Sequence, residues 1–329
     1  MVRALSIAQA GAPLRPVEIT RRDPGPTDVV IDVAYVGICH SDAYMARDDW
    51  GFSAFPMIPG HEVTGTVAAV GADVSAHTVG DRVAAGMLLE WCGDCRHCLA
   101  GREQYCVGSG KPADAGGFSR RIVADQDAVH ALPSRLDMAG AAPLMCAGIT
   151  MYSALNHWLV GPGTNVGIVG LGGLGHLGVK LAAAMGARVT VLTRHPAKRH
   201  DALRFGATAC TTADEAPLGA FDLIISTVPT ATNMSPLLAL LDVDGTVVMA
   251  GAPTQALAAP AGQLITGRRQ LAGTSLGSVQ ETRDMLDFCA VHGITAETEI
   301  VTADQINTSF ARLETSDVHY RLVLDVTTV

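Results

Sequence analysis

The sequence predicts an α/β protein with two domains, one rich in β-strands and one built on a doubly wound parallel sheet. Its 329 residues favour two domains, because a single domain usually holds about 100–200 residues. The first 148 residues alternate short β-branched runs with Gly and Pro turns, whereas strand-like and helix-like runs alternate after them. We therefore expect one domain over residues 1–148 and 278–329, with a second domain over 149–277 inserted into it.

The β-rich domain is expected to be mostly antiparallel. Its strand-like runs are DVVIDVAYVGI (28–38), VTGTVAAVG (63–71), DRVAAG (81–86) and FSRRIVADQDAV (118–129). After the inserted domain, a helical stretch over 279–293 precedes a strand, helix and strand pattern over 294–326. This last segment is expected to rejoin the first domain.

The inserted domain shows the strand and helix alternation that is typical of parallel sheets. Its buried strand-like runs are NVGIVG (165–170), RVTVLTR (188–194), FDLIIST (221–227) and GTVVMAG (245–251). Helical patterns over 176–186 and 196–206 follow the first two. Such an alternation predicts helices packed on the faces of a parallel sheet.

Composition and charge exclude several classes of protein. Hydrophobic residues make up 48% of the chain, which argues against disorder. The 32 acidic and 23 basic residues give a net charge of −9, so nucleic-acid binding is not expected. Residues 138–179 contain no Asp, Glu, Lys or Arg, but their glycines favour a strand, turn and helix over a membrane span. The N-terminus lacks the pattern of a signal peptide, so a cytoplasmic location is expected.

Four closely spaced cysteines predict a structural zinc site. They follow the pattern C-x2-C-x2-C-x7-C, which is tight enough for four thiolates to surround one tetrahedral ion. An iron–sulfur cluster is the alternative, because ferredoxins also use C-x2-C steps. Four thiolate ligands leave no open position on the metal, so the site would stabilise a loop without doing chemistry. The residues are Cys92, Cys95, Cys98 and Cys106.

A second and more dispersed set of residues could hold a catalytic zinc ion. Cys39 in GICHSD, His61 in PGHEVTG and Cys146 in PLMCAGIT each end a strand-like run or stand beside a glycine. Two thiolates and an imidazole leave a fourth position open for water or substrate. Taken singly, each residue is more often part of a buried core, so their wide separation leaves both interpretations open. A metalloprotease helix is disfavoured, because HEVTG lacks the second histidine of H-E-x-x-H.

A glycine-rich loop predicts a dinucleotide site of the Rossmann type. Gly170, Gly172 and Gly175 form G-x-G-x-x-G between a strand-like run and a helix. The first glycine permits a tight turn, the second lets the backbone approach a pyrophosphate, and the third allows close packing of helix and strand. The helix N-terminus then faces the phosphates.

The residues after the next strand favour NADP over NAD. An NAD enzyme would carry Asp or Glu there to bind the ribose 2′-hydroxyl, whereas this chain has Thr193 and Arg194. With Lys198 and Arg199 they provide a hydroxyl and three cations, which suit a 2′-phosphate. Alternatively, Lys198 and Arg199 only solvate the next helix, which would leave Arg194 as the main determinant.

In this order the motifs resemble those of the zinc-dependent medium-chain alcohol dehydrogenases, in particular the branch of cinnamyl alcohol dehydrogenase-like aldehyde reductases. The resemblance runs nearly from end to end, through GICHSD, CGDCRHCLAGREQYC, APLMCAGITMYSAL, VGIVGLGGLGHLGVKLA and YRLVLDV. It implies a GroES-like catalytic domain, a Rossmann domain, two Zn²⁺ ions per chain, NADP(H) and a homodimer. The implied reaction is hydride transfer between NADP(H) and a primary aldehyde or alcohol, either aromatic or medium-chain.

The resemblance also implies roles for single residues. Cys39, His61 and Cys146 would hold the catalytic zinc, with Glu62 as a nearby or alternate ligand. Asp42 would orient His61, and Ser41 would bond the substrate oxygen and supply its proton. The implied cofactor contacts are His40, Leu171, Gly172, Gly173 and Leu174 near the pyrophosphate, Thr150 and Ser275 near the nicotinamide, Thr227 and Gly251 along the cofactor, and Arg321 near the phosphates.

Three departures from the branch stand out: Tyr44 replaces a proton-transferring histidine, the segment 107–115 is short, and Ser226 replaces an aspartate.

Apolar substrate contacts are expected from Trp50, Phe52 and Trp91, although core packing would explain these side chains equally well. The alternative functions are a polyol or secondary-alcohol dehydrogenase, a related double-bond reductase, and an NADP-binding zinc scaffold or sensor without turnover.

Overall fold

The computed structural model describes residues 1–108, 116–230, 232–315 and 317–329. It divides into two compact units, the first over Met1–Ile149 and Gly277–Val329 and the second over Thr150–Leu276. These limits lie one residue from the domain limits expected from the sequence. Most of the short segment 107–115 lies outside the described residues.

Fifteen strands and nine α-helices are described within those ranges. The strands are β1 Val2–Ser6, β2 Arg15–Ile19, β3 Asp28–Ile38, β4 Val63–Val70, β5 Arg82–Ala85, β6 Arg121–Asp125, β7 Val129–Ala131, β8 Asn165–Val169, β9 Arg188–Leu192, β10 Ala209–Thr211, β11 Phe221–Ser226, β12 Leu241–Met249, β13 Gln270–Gly273, β14 Thr298–Val301 and β15 Arg321–Asp325. The helices are α1 His40–Arg47, α2 Met138–Ala141, α3 Ala147–His157, α4 Gly173–Ala184, α5 Arg199–Arg204, α6 Ser235–Leu240, α7 Ala261–Gly267, α8 Val279–His292 and α9 Ile306–Glu314.

A seven-stranded sheet forms the frame of the first unit. Its order is β14-β15-β3-β4-β5-β7, and β6 also pairs with β3. All pairs are antiparallel except β14 with β15. The long β-branched run of β3 supplies buried side chains to the core, among them Ile31 and Val33, which pack with Ile122 and Leu322. β15 pairs with β3, so the C-terminal segment rejoins this sheet as expected.

The run 118–129, expected as one strand, forms two. β6 ends at Asp125, whose carboxylate accepts a hydrogen bond from the backbone N–H of Asp127 at 3.1 Å. A 3₁₀ turn over Gln126–Ala128 follows before β7 begins. The aspartate side chain therefore caps a turn where the alternation of residues indicates a continuous strand.

The second unit holds a parallel sheet of six strands in the order β10-β9-β8-β11-β12-β13. From β8 the chain proceeds to one side through β9 and β10, and it then returns to the other side of β8 with β11. The point between β8 and β11 is thus the switch point where doubly wound sheets bind ligands. The predicted α/β class and doubly wound sheet are confirmed.

Helix ends follow their local sequence signals. Ser278 Oγ accepts from the N–H of Glu281 at 3.2 Å, and the Glu281 carboxylate accepts from the N–H of Ser278 at 2.8 Å. This capping box begins α8, and Gly293 ends it with φ +66°. No single helix among the described residues is long and apolar enough to cross a membrane. Met138–Met145 and α3 together reach that length and composition, but they are bent by 54° at their junction.

Candidate active site

Four buried side chains of the first unit converge on one point. Cys39 follows β3 and forms the N-cap of α1, His61 and Glu62 precede β4, and Cys146 precedes α3. One ligand atom from each lies within 4.8 Å of every other. Residues that are 107 positions apart in the chain thus form one compact set of two thiols, an imidazole and a carboxyl group.

Asp42 fixes the orientation of His61. Its fully buried carboxylate lies 3.1 Å from Nδ1 of His61 and accepts from the backbone N–H groups of Cys39 and Gly60, each at 2.9 Å. Nε2 of His61 is buried, and within the described residues it has no hydrogen-bond partner. A carboxylate on one imidazole nitrogen leaves the other nitrogen to bind a metal. The unpartnered Nε2 beside two thiols therefore fits a zinc ion.

The electrostatics of this set also fit a cation. The hydrogen bond from Cys146 lowers the pKa of the Cys39 thiol, although burial acts against it, while the same contact and burial raise the pKa of Cys146. Burial would lower the pKa of His61, but the charge of Asp42 beside it raises that pKa well above its ordinary value. The Cys39 thiol is thus the more acidic of the two, and a bound Zn²⁺ would stabilise both as thiolates.

Glu62 forms a buried ion pair with Arg321. The Arg321 guanidinium lies 2.5 Å from Oε2 and 2.7 Å from Oε1 of Glu62, and it also donates to the carbonyl of Ile38 at 3.2 Å. Burial raises the pKa of Glu62 to about 7, against the opposing charge of Arg321. Arg321, assigned to the cofactor phosphates from the resemblance, has its guanidinium engaged with Glu62 instead.

The four-cysteine cluster forms a second metal-sized set. The sulfur atoms of Cys92 and Cys106 are 3.4 Å apart, those of Cys95 and Cys98 are 3.6 Å apart, and those of Cys92 and Cys98 are 3.9 Å apart. Four sulfurs at ~2.3 Å from a tetrahedral zinc ion would be separated by about 3.8 Å. Backbone N–H groups of Cys92 and Cys95 donate to two of the sulfurs. The segment 92–106, called the cysteine lobe below, is thus folded around a space of the size that a zinc ion needs.

The glycine-rich loop of the second unit has the geometry that a dinucleotide requires. Gly170 has φ +87°, and a Cβ on Gly175 would lie 2.0 Å from the Gly170 carbonyl oxygen. A Cβ on Gly172 would meet no atom within 4 Å, so open space faces this part of the loop. Thr227 at the end of β11 donates to the carbonyl of Val169, and Gly251 after β12 packs against the Thr227 backbone. These residues line the loop at the switch point.

The cations after β9 divide into two groups. Lys198 Nζ donates to the carbonyl of Leu171 in the glycine-rich loop at 2.7 Å, and burial lowers its pKa. Arg194 is exposed, and its guanidinium makes no hydrogen bond or ion pair with the described residues. Arg199 donates to the carbonyl of Cys210 at 3.0 Å, so its guanidinium is bonded to the edge strand β10 of the sheet. Lys198 thus lies against the glycine-rich loop and Arg199 against β10, and the contacts of all three cations with a phosphate stay predictions.

Three further predicted contacts have the following surroundings. The His40 ring nitrogen Nε2 lies 3.2 Å from the carbonyl of Leu313 in α9. Thr150 is buried in α3, and Ser275 is exposed after β13. Their contacts with a cofactor stay predictions.

A cavity of about 200 Å³ lies beside His61 in the first unit. Its larger apolar side chains are Met45, Met87, Leu89 and Ile122, and its lining is almost entirely apolar. Trp50, Phe52 and Trp91 do not line it: Trp50 stacks on Phe52 at 5.7 Å, and Phe52 is 70% exposed. Sequence reasoning missed the two methionines. Met45 could have been found from its position one helical turn after Ser41.

Together the fold and the two metal-sized sets define a zinc-dependent dehydrogenase with a nucleotide-binding unit. Residues 25–134 match the family described as alcohol dehydrogenase GroES-like domain, and residues 173–291 match the zinc-binding dehydrogenase family. The chain belongs to the zinc-dependent medium-chain alcohol dehydrogenases and, within them, to the cinnamyl alcohol dehydrogenase-like branch. The resemblance found in the sequence is thereby confirmed.

Individual relatives span almost the whole chain. It is 46% identical to the NADP-dependent alcohol dehydrogenase C of Mycobacterium bovis, over 99% of this chain and 98% of the relative. The cinnamyl alcohol dehydrogenase of Sorghum bicolor is 40% identical with a TM-score of 0.95, over 99% and 98% of the two chains. CAD from Helicobacter pylori, solved with NADP(H), is 34% identical with a TM-score of 0.94 over the same shares.

Proposed function

We propose that the protein reduces aldehydes to primary alcohols with NADPH, reversibly, at a zinc ion held by Cys39, His61 and Cys146. The observation that carries the proposal is the buried Nε2 of His61, unpartnered among the described residues, which faces two thiols within 4.8 Å. A bound zinc supplies a Lewis acid that polarises a carbonyl oxygen. The likeness to an NADP-dependent alcohol dehydrogenase and to a CAD enzyme that binds NADP(H) supports the cofactor.

The surrounding residues have separate roles in this proposal. Asp42 holds Nδ1 of His61, so that Nε2 stays directed at the metal. Ser41, whose Oγ lies 3.7 Å from Sγ of Cys39, would donate its proton to the substrate oxygen while the carbonyl carbon takes a hydride from NADPH, which becomes NADP⁺. Water would then return a proton to Ser41. The aldehyde thereby gains one hydride and one proton and becomes the alcohol. Cys92, Cys95, Cys98 and Cys106 hold the second zinc and only stabilise their lobe.

In the second unit, we assign the pyrophosphate to the backbone of the loop from Gly170 to Gly175, beside Thr227 and Gly251. Thr193, Arg194 and Lys198 bind the 2′-phosphate of NADP. Lys198 exchanges its bond with the Leu171 carbonyl for the phosphate, whereas Arg199 stays on β10. The apolar cavity with Met45 and Met87 supports an aromatic or medium-chain substrate rather than a polyol.

A homodimer in the cytoplasm completes the proposal. The β13 edge of the six-stranded sheet supports the dimer. Among the described strands β13 pairs with β12 alone, so its other side offers backbone groups with which a second copy could pair. Sedimentation of the purified protein tests it, and a monomer at micromolar concentration would refute it. Both clusters need reduced cysteines, a state that the cytoplasm maintains.

The test of the function is the oxidation of NADPH and NADH with cinnamaldehyde and hexanal, before and after removal of zinc. We expect turnover with NADPH that is lost when zinc is removed.

Arg194→Ala should raise KM for NADPH by about 10–100-fold, because one charge-assisted contact is lost, and should barely change KM for NADH. Arg199→Ala is the matched control. An equal loss with both cofactors, or an equal effect of Arg199→Ala, would contradict the phosphate assignment.

A further inference from the structure

Gly37 lies in the central strand that separates Glu62 from Arg321. Its backbone N–H donates to the Glu62 carbonyl at 2.9 Å on one side, and it is paired with Val323 of β15 on the other side. Adjacent strands are about 4.8 Å apart, so the Glu62 side chain must pass over β3 to reach a guanidinium that β15 carries. The ion pair therefore crosses β3 above Gly37.

The space above Gly37 is taken up by the Glu62 side chain. A Cβ on Gly37 would lie 1.9 Å from Oε2, 3.0 Å from Cδ and 3.1 Å from Cβ of Glu62, and these are its three nearest neighbours. The φ of Gly37 is not positive, so the backbone does not require glycine. Glu62 is fully buried and both of its oxygens contact Arg321, so a shift of the carboxylate away from position 37 would disturb the ion pair.

We propose that Gly37 is a positioning residue of the metal centre. Because it has no side chain, it leaves free the space on this face of β3 that the Glu62 carboxylate occupies to reach Arg321. Cys39 follows β3, two residues after Gly37, and its backbone is still extended (φ −108°, ψ 155°), so its side chain lies on the same face as position 37. The Glu62–Arg321 pair thus lies directly against a proposed zinc ligand. A side chain at position 37 would break this pair and leave an unpaired buried guanidinium beside the thiols. The inference rests on the proposed zinc site.

The experiment is a double-mutant cycle read out by zinc affinity in competition with a chelator, with the zinc content of each variant measured. Gly37→Ala should weaken the more labile zinc by about 10–100-fold, the usual cost of losing a group that orients a ligand. Glu62→Asp withdraws the carboxylate by one methylene, so in that background Gly37→Ala should cost less than about threefold. Glu62→Gln keeps the length, so there the full loss should persist. The absorption of the cobalt-substituted protein should change and recover in parallel.

Gly262→Ala is the matched control, because a Cβ there would meet no atom within 4 Å. Additive effects of Gly37→Ala and Glu62→Asp would overturn the inference, as would rescue by Glu62→Gln. If Gly37→Ala alone fails to fold, recovery of folding and zinc by Glu62→Asp supports the inference, and failure to recover overturns it. A wild-type protein that holds only one zinc ion per chain would instead refute the proposed catalytic site.

Discussion

At the scale of single residues, Asp42 links the local structure to the chemistry. Its carboxylate caps α1 through the N–H of Cys39, holds the loop before β4 through Gly60, and orients His61. One side chain therefore determines the relative positions of two proposed ligands. Such an arrangement is rigid because all three donors are satisfied by a carboxylate that is fully buried.

Asp42→Asn should lower both zinc affinity and kcat/KM by about 10–100-fold while the protein stays folded. The amide keeps the shape of the carboxylate but removes the charge that orients the imidazole. Zinc retention against a chelator and the kinetics of aldehyde reduction measure the two effects. Asp49→Asn, on the surface near the end of α1, is the control. Unchanged zinc affinity in Asp42→Asn would show that His61 is oriented by other contacts.

His130 in β7 gives a prediction on pH. It is 4% exposed, and burial lowers its pKa to about 3. The unfolded chain takes up a proton at this histidine below about pH 6.5, whereas the folded chain does not until about pH 3. The pKa is therefore depressed in the folded state, and stability falls as the pH falls through this window.

His130→Gln should remove this part of the pH dependence. Between pH 7 and 4.5 the wild type should lose about 2–3 kcal/mol more unfolding free energy than the variant. Denaturant unfolding at several pH values measures the difference, which cancels contributions from the zinc sites. The exposed His200→Gln is the control. Parallel stability curves of wild type and His130→Gln would contradict the assignment.

At the scale of elements, the sequence predicted those features whose interacting residues are close together in the chain. The four cysteines of the lobe lie within 15 residues, so their spacing alone brings the sulfurs together. The glycine-rich turn and the capping box of α8 are local in the same way. The turn over Gln126–Ala128 was missed because a hydrogen bond of Asp125 to the backbone competes there with strand alternation.

At the scale of the whole molecule, the metal and nucleotide functions belong to different units. Both metal-sized sets lie in the first unit, whereas the glycine-rich loop, Arg194 and Lys198 lie in the second. Each unit has its own hydrophobic core. Binding of NADPH should therefore not require zinc.

Removal of both zinc ions should abolish aldehyde reduction and leave the Kd for NADPH within about threefold of its original value, since binding terms of separate sites are largely independent. Quenching of protein fluorescence by NADPH measures the Kd, and the metal content is determined on the same samples. Loss of NADPH binding together with zinc would show that the second unit depends on the metal sites.

The sequence by itself predicted the two-part α/β fold, the four-cysteine zinc site and the dinucleotide loop, and its resemblance to the family implied the dispersed ligands. Each of these depends on residues close together in the chain or on an order of motifs that is typical of the family. Only the tertiary structure decided that Glu62 pairs with Arg321, that Arg199 is bonded to β10, and that methionines line the cavity beside His61. These contacts join residues whose distance depends on how strands pair. Gly37 shows the reason: its role exists only because β4 and β15 flank β3.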